Sequence, residues 1–269
     1  MDDEAKHRLE AVQKFILRST VPILVEGEEG KPFPVGTGTL LRINNRYFII
    51  TAQHLFEDAA QLEHIAIPDA LDSDSYTRVL NLVHSKTNND DIDVAVVEIT
   101  SSESIEGIKA NWNFLTLDNV DVSASTNSVW VVGYPVSRVS IKGKRLVAEP
   151  LTLLTERMGE VPAEALPPVH EGLDIFYTYA RSAHLLWKGE AVTPELYGVS
   201  GAAIWDVSRQ LPTGLWLPER FAKMVAIQSA FMHSGYLRAK SWWAVARSLA
   251  KIDTELGEAV HEKTGVTGG

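Results

Sequence analysis

The sequence predicts an all-β protein of the sandwich or barrel type, with a helix at each end. Short runs of β-branched and aromatic residues recur at near-regular spacing along most of the chain, separated by Gly, Pro, Asn and Asp. Such spacing favours a sandwich or barrel over alternating βα units. Apolar residues at helical spacing are found near the two ends of the chain.

An amphipathic helix is predicted first, over residues 3–18, from apolar positions at helical spacing among charged residues. Its apolar positions are Leu9, Val12, Phe15 and Ile16. Strands are predicted next at Thr20 to Glu26, Gly38 to Ile43, Arg46 to Thr51, Val79 to His84 and Ile92 to Ile99. Asn44-Asn45 indicates a two-residue hairpin turn between two of these strands, because asparagine tolerates positive φ.

The polar, turn-rich residues 101–127 are predicted to link two halves of the β region. Strands follow at Ser128 to Gly133, Arg145 to Leu154, Ile175 to Arg181, Ala202 to Asp206 and Met224 to Ala230. Residues 156–173 hold three prolines among several acids, which predicts a long loop. A second helix is predicted over residues 241–258, and residues 263–269 are predicted to form a frayed tail.

Composition excludes several classes of function. With 25 Lys and Arg against 35 Asp and Glu the net charge is −10, and an acidic chain without a basic tract does not predict a nucleic-acid partner. No apolar run approaches the roughly 20 residues that span a bilayer, so no membrane association is expected. The sequence has no cysteine, which excludes disulfides, a thiol nucleophile and cysteine-ligated metals. Without a secretory signal at its start, the chain is expected to be cytoplasmic.

Three segments contain the residue types of a nucleophilic hydrolase, in a definite order. The first is a glycine-bearing strand from Gly36, a turn, and a strand that ends in Thr-Ala-Gln-His54. The second is Asp93 followed by an apolar strand, and the third is Gly-Val-Ser-Gly around Ser200. Together they resemble the chymotrypsin-like (trypsin-fold) serine proteases, especially the disulfide-free bacterial members, over roughly Thr20 to Ser248.

The resemblance implies two packed six-stranded antiparallel Greek-key β-barrels. The division would be an N-terminal helix over 1–19, a first barrel over 20–120, a second barrel over 121–238, and a C-terminal helix and tail over 239–269. It also implies the catalytic triad. His54 matches the histidine of the family, Asp93 rather than Asp90 or Asp91 matches its aspartate, and Ser200 matches its serine.

The chemistry explains these residue types. A serine hydroxyl is a poor nucleophile at neutral pH, so Ser200 needs His54 to accept its proton, and the same imidazole then protonates the leaving amine. Asp93 would fix the tautomer of His54 and stabilise its imidazolium form. The backbone N–H groups of Gly198 and Ser200 would form the oxyanion hole, where one donor typically contributes about 2.7–4 kcal/mol.

Each signal has an ordinary structural explanation when taken alone. A histidine is usually a surface or satisfied residue, and Gly-X-Ser-Gly is a common turn. The conjunction of three segments in order favours the triad. No metal-ligand spacing relates His64, His84, His170, His184 and His233, and Gly36-X-Gly38 lacks the rest of a nucleotide-binding loop, so neither a metal nor a cofactor is predicted.

Two positions depart from the pattern of the family. Val199 stands where many relatives have the aspartate that pairs with a new amino terminus, so activation by N-terminal insertion is not expected. The enzyme is then either competent as made, or switched by a loop or by a regulatory protein partner. Pro194 matches the floor of the primary specificity pocket, which disfavours selection of basic side chains.

The remaining predicted site residues lie on the strand from Met224. By its match to the family, Ser229 would support Asp93, and Ala230 and Phe231 would line the substrate cleft. Phe231 implies a shallow pocket for small apolar side chains, or it is a core aromatic residue. An extended peptide would bind by adding a strand to the cleft edge.

The predicted function is therefore a serine endopeptidase, acting on a peptide or protein substrate through an acyl-enzyme. An effector protease released by a signal is one form of this prediction. The alternative is a protease-fold module that is catalytically silent and serves as a peptide-binding or scaffold subunit.

Overall fold

The computed structural model describes residues 3–27, 31–56, 64–85, 92–122, 127–142, 145–179, 182–185, 189–192, 195–207, 216–232 and 235–265, with the backbone alone at 182–185 and 189–192. Two curled antiparallel sheets form most of the described chain, and helices lie at both ends. The predicted fold class, two packed β-barrels with terminal helices, is confirmed.

The first sheet has seven strands in the described residues. They are β1 (Thr20–Glu26), β2 (Pro32–Ile43), β3 (Arg46–Thr51), β4 (Ile65–Pro68), β6 (Tyr76–Arg78), β7 (Leu82–His84) and β8 (Ala95–Ile99). Their spatial order is β6-β4-β1-β2-β3-β8-β7. Asn44, with a φ of 54°, forms the predicted two-residue turn between β2 and β3.

The second sheet has eight described strands. They are β9 (Ser128–Gly133), β12 (Leu151–Glu156), β13 (Asp174–Thr178), β14 (Ser182–Leu185), β15 (Gly189–Val192), β16 (Ala203–Asp206), β17 (Lys223–Met232) and β18 (Tyr236–Ser241). Their spatial order is β13-β18-β17-β16-β9-β12-β14-β15. Both sheets therefore contain more strands than the six predicted, because short edge strands extend each barrel.

A small third sheet joins the two barrels. The hairpin of β10 (Val139–Lys142) and β11 (Arg145–Ala148) leaves the second barrel and pairs with β5 (Asp72–Ser73) of the first. An ion pair between Arg145 and Asp72 crosses the same junction. The strand β11 lies within the predicted strand Arg145 to Leu154, whereas β5 and β10 were not predicted, since they have too few residues to show alternation.

Five helices are described: α1 (Asp3–Leu17), α2 (Ser102–Lys109), α3 (Pro218–Phe221), α4 (Trp242–Ile252) and α5 (Thr254–Thr264). Val12 and Ile16 of α1 and Trp242, Val245 and Leu249 of α4 are fully buried in one apolar cluster with residues of both barrels. No helix among the described residues is long and apolar enough to cross a bilayer.

The structure corrects two predictions about the helices. The predicted linker contains α2, whose N-cap Ser101 accepts a hydrogen bond from Ser104 N at 3.3 Å. The single predicted C-terminal helix is two helices, because the extended backbone of Asp253 ends α4 and its carboxylate accepts from Glu255 N to begin α5. The helix α5 also continues into the segment predicted as a frayed tail.

Candidate active site

His54 lies in a short 3₁₀ turn, Gln53–Phe56, that directly follows β3. Its imidazole Nδ1 is 2.9 Å from Asp93 Oδ2 and 3.0 Å from Oδ1. The His54 main-chain N–H also donates to Asp93 Oδ1 at 3.0 Å. One carboxylate thus holds both the ring and the backbone of His54, and leaves Nε2 as the ring nitrogen on the other side.

Asp93 lies just before β8, which pairs with β3 so that Thr51 is opposite Ala95. This pairing brings the end of the histidine strand beside the start of the aspartate strand. The side chains of His54 and Asp93 are 39% and 21% exposed, so the pair lies at the protein surface. Asp90 and Asp91, the other aspartates considered, lie outside the described residues.

Ser200 lies in a tight turn before β16 that two glycines make possible. Gly198 and Gly201 have φ values of +92° and +91°, which side chains other than glycine rarely adopt. A Cβ on Gly201 would lie 2.1 Å from Thr37 O and 2.2 Å from Thr51 Oγ1. Only glycine fits there, because the turn is pressed directly against the first barrel.

Main-chain hydrogen bonds hold this turn to both barrels. Ser200 O accepts from Thr37 N of β2 at 3.0 Å, and Gly201 N donates to Gln228 O of β17 at 2.8 Å. Ser200 itself is 8% exposed. The nucleophile candidate is therefore positioned by backbone geometry that involves both sheets.

The turn leaves two amides available for an anion. Tyr197 O accepts from Val136 N at 2.7 Å, and because a trans peptide places its N–H opposite its C=O, the Gly198 N–H points away from Val136. Val199 O accepts from Ala202 N at 2.9 Å, so the Ser200 N–H, on the opposite side of the same peptide, points away from Ala202. Within the described part of the chain, no hydrogen bond engages the Gly198 or Ser200 amide.

The geometry can be compared with known proteins. No protein-family model matches the sequence, and no curated protein matches it in a sequence search. The structure is similar to the HtrA-type protease AlgW solved with a tripeptide, with a TM-score of 0.52 and 10% sequence identity over 93% of this chain. The chain spans 64% of the length of that AlgW chain.

Two further solved structures match at the same TM-score of 0.52. One is an inactive form of the Rv3671c protease, 14% identical over 94% of this chain and 96% of that one. The other is the scabies mite inactivated protease paralogue S-I1, 15% identical over 90% of this chain and 96% of that one. The chain has the fold of the trypsin-like serine proteases.

Within this trypsin-like fold, Ser229 lies beside Ser200. The Ser200 hydroxyl is 3.4 Å from Ser229 O, and the Ser229 hydroxyl donates to Arg238 O at 3.3 Å. Among the described residues the hydrogen bonds of Asp93 all go to His54, so this structure does not contain the contact predicted between Ser229 and Asp93.

The other residues predicted to bind substrate are placed differently. Ala230 is exposed, and its carbonyl oxygen accepts from Gln228 Nε2 at 3.0 Å. Phe231 is half-buried and makes edge-to-face contacts with Tyr197 and Tyr179, with ring centroids 5.3 Å and 5.9 Å apart. Pro194 lies outside the described residues.

Two of these aromatic residues were not singled out from the sequence. Tyr197 directly precedes Gly198 and is 67% exposed, the largest fraction among the exposed large apolar and aromatic residues described. Its position next to the Gly-Val-Ser-Gly segment was the available signal. Tyr179 had no such signal, because it is brought to Phe231 only by the folding of the second sheet.

A buried charge cluster lies on β18, the strand that pairs with the Ser229 strand β17. The Asp174 carboxylate has no exposed surface and accepts hydrogen bonds from Arg238 and Lys240 at 2.6–2.8 Å. Burial raises the pKa of Asp174, but the hydrogen bonds from Arg238 and Lys240 outweigh this and hold it below its ordinary value. The carboxylate is thus ionised and fixes β13 to β18.

Proposed function

We propose that the protein is a serine endopeptidase that uses His54, Asp93 and Ser200 through an acyl-enzyme. The observation behind the proposal is one arrangement: the Asp93 carboxylate holds His54 Nδ1, on a trypsin-like fold whose Ser200 turn leaves the Gly198 and Ser200 amides unengaged. Each of the three chemical tasks of acyl transfer then has a group of the right type.

In the proposed reaction His54 Nε2 accepts the Ser200 proton as the hydroxyl oxygen attacks the substrate carbonyl carbon. Asp93 accepts a hydrogen bond from His54 Nδ1–H, which keeps Nε2 unprotonated at rest and stabilises the imidazolium that forms. The imidazolium then protonates the leaving amine. Water then gives a proton to His54 as its oxygen attacks the acyl carbon, and the imidazolium returns that proton to the Ser200 oxygen as the bond between Ser200 and the acyl group breaks.

The tetrahedral intermediate places a negative charge on the former carbonyl oxygen. The free Gly198 and Ser200 amides are the donors proposed for this oxyanion. Because both peptide planes are anchored through their carbonyl groups, the amides need little reorganisation as charge develops. Removal of one such donor typically costs about 10²–10³ in kcat.

The substrate is proposed to be an extended peptide paired with the exposed end of β17 at Ala230. The aromatic contacts of Phe231 with Tyr179 and Tyr197 support a filled, shallow primary pocket that takes small apolar side chains. The position of Pro194 on the pocket floor belongs to the same proposal and rests on the resemblance alone.

The proposal includes competence without N-terminal cleavage. Val199 is fully buried in the apolar core of the second barrel, where it has no charge to offer a new amino terminus. The turn is instead held by the anchored Tyr197 and Ser200 carbonyls. Regulation by a protein partner and a cytoplasmic location, supported by the absence of cysteine, are proposed with it.

The test is reaction with a fluorophosphonate probe, followed by mass spectrometry of the labelled peptide. Wild-type protein is expected to take up one probe at Ser200, and Ser200→Ala is expected to take up none while it keeps its thermal transition. The exposed Ser140→Ala variant is the matched control and should label as wild type does. Label retained in Ser200→Ala would overturn the assignment.

A second candidate, a catalytically silent peptide-binding module, is favoured by one observation. The Ser200 hydroxyl is directed at Ser229 O, 3.4 Å away, and in that orientation its proton is not presented to a base. A silent module would neither label nor cut a peptide library, yet would bind an extended peptide with a measurable Kd. Labelling of the wild type decides against it.

A further inference from the structure

Thr37 lies in β2 of the first barrel and contacts both segments that supply the candidate site. Its side chain is fully buried. Its N–H donates to Ser200 O at 3.0 Å, and its carbonyl accepts from the Thr51 hydroxyl, three residues before His54, at 2.7 Å. This one residue therefore joins the serine turn to the histidine strand through its main chain.

The Thr37 hydroxyl adds a bond that the mechanism above does not use. Tyr134 N donates to Thr37 Oγ1 at 2.9 Å, and Thr37 Oγ1 donates to Gly198 O at 2.7 Å. The Tyr134 amide can only donate, so it occupies a lone pair of the hydroxyl and directs the hydroxyl proton toward Gly198 O. The orientation of this bond is fixed by its partners.

The bond completes an alternating pattern over three successive peptide planes. The first plane is anchored by Tyr197 O to Val136 N, and the third by Val199 O to Ala202 N, and each leaves its amide free. The middle plane is anchored at both ends, by Val199 N to Leu196 O at 2.8 Å and by Gly198 O to Thr37. The two free amides flank this doubly held plane.

We propose that the Thr37 hydroxyl is a positioning residue for the oxyanion hole, supplied to the second barrel by the first. The proposal rests on the proposed peptidase function of Ser200. Glycine at position 198 has wide conformational freedom. When its carbonyl is released, the middle plane keeps only the Val199 N–H bond to Leu196 O and can rotate about it. Rotation would turn the flanking Gly198 and Ser200 amides away from the position of the developing oxyanion.

The hydroxyl is distinguished from a merely structural group by its partner. Thr39, two residues along on the same face of β2, is also fully buried, and its hydroxyl lies 3.5 Å from Gly201 O. Both threonines thus face the serine turn from the same strand. Only the Thr37 hydroxyl holds the plane between the two free amides, so the same substitution at the two positions separates positioning from packing.

The experiment compares Thr37→Val, Thr37→Ser and Thr39→Val by fluorophosphonate labelling rate per folded molecule, and by crystal structures of the three variants. Thr37→Val is expected to label about 10- to 100-fold more slowly, less than the loss from deleting a donor, because the amides are displaced and not removed. Its 198–199 peptide should be rotated. Thr37→Ser keeps the hydroxyl and should label within about threefold of wild type, as should Thr39→Val.

Two results would overturn the proposal. One is a Thr37→Val protein that labels at the wild-type rate per folded molecule; the other is a 198–199 peptide that keeps its orientation. If Thr37→Val does not fold, Thr37→Ala replaces it, since it removes the hydroxyl without adding bulk. If wild type does not label, the peptidase proposal fails, and the crystal structures still decide whether Thr37 orients the peptide.

Discussion

The two halves of the candidate site are held by different means. His54 and Asp93, from the first barrel, are partly exposed and are joined by side-chain hydrogen bonds. Ser200, from the second barrel, is buried and is placed by glycine backbone and main-chain bonds to both sheets. The first half is therefore sensitive to the chemistry of a side chain, and the second half to backbone geometry. Substitutions should separate the two: changes to the side chains of the first half should alter activity alone, and changes to the backbone of the Ser200 turn should alter folding as well.

The largest expected effect is that of Asp93→Asn on activity. The amide cannot accept the Nδ1–H bond as the carboxylate does and favours the wrong tautomer of His54, so kcat should fall by roughly 10⁴-fold. Thermal stability should change little, because the pair is partly exposed.

The measurement is turnover of a small-residue peptide ester together with thermal unfolding. Asp118→Asn is the control, since its exposed carboxylate pairs with Lys263 far along the chain. Wild-type turnover in the Asp93→Asn protein would show that Asp93 does not orient His54.

For Gly201→Ala, in contrast to Asp93→Asn, a large loss of stability is expected. The added methyl would overlap Thr37 O and Thr51 Oγ1, and the φ of +91° is unfavourable for alanine. Overpacking and backbone strain together should lower the free energy of unfolding by about 4 kcal/mol.

Gly159→Ala is the matched control, because a Cβ at Gly159 meets no atom within 4 Å. Urea unfolding of both variants measures the difference. The comparison between the two halves breaks down if Gly201→Ala is as stable as Gly159→Ala.

A smaller loss is expected for Asp174→Asn, which removes the charge between Arg238 and Lys240 in the second barrel. Breaking a buried ion pair costs about 3–5 kcal/mol, and the low end applies because Arg238 keeps hydrogen bonds to the carbonyls of Leu166 and Pro168.

Asp72→Asn breaks the exposed pair with Arg145 and should cost about 1 kcal/mol or less. Chemical denaturation of the two variants tests whether charge in the second barrel is structural. Equal losses would mean that burial does not matter for these pairs.

The smallest effect concerns pH. The folded-state pKa of Asp174 is lowered, so its stabilisation is present above the unfolded value of about 3.9 and is lost as pH falls through the folded pKa. The difference in unfolding free energy between wild type and Asp174→Asn should therefore be constant from about pH 7 to 5 and shrink below that. A difference that grows on acidification would have the wrong sign for a carboxylate held ionised.

Local patterns predicted much of the fold. The strands Thr20–Glu26, Arg46–Thr51 and Ser128–Gly133 have the predicted bounds, because β-branched and aromatic runs between turn residues identify strands directly. The strand Tyr236–Ser241 and the helix Ser102–Lys109 were not predicted. The first, Tyr-Leu-Arg-Ala-Lys-Ser, shows no regular apolar and polar alternation, and the second is short and lies in polar sequence, so neither has a periodic signal.

The three segments of the candidate site could also be recognised from local sequence. The segments around His54, Asp93 and Ser200 are local motifs, and the structure places Asp93 against His54. The hydrogen-bond partner of the Ser229 hydroxyl could not be predicted from the sequence. Strand pairing in the second barrel places Arg238 O beside this hydroxyl, whereas the expected partner, Asp93, belongs to the first barrel. Thr37 lies between Gly36 and Gly38 of the first segment, but the sequence gives no sign of its role, because its partner Gly198 is 161 residues away.

The sequence by itself determined the residue types of the site, their order, the glycines of the serine turn and the exclusion of cysteine chemistry. The tertiary structure alone decided that the turn is pressed against β2, that two amides stay free beside it, and that a first-barrel hydroxyl fixes the plane between them. The physical reason is the separation along the chain over which each effect acts. Residue chemistry and turn propensity act over a few neighbouring positions, whereas the contacts that orient an oxyanion hole join strands that only the packing of two barrels brings together.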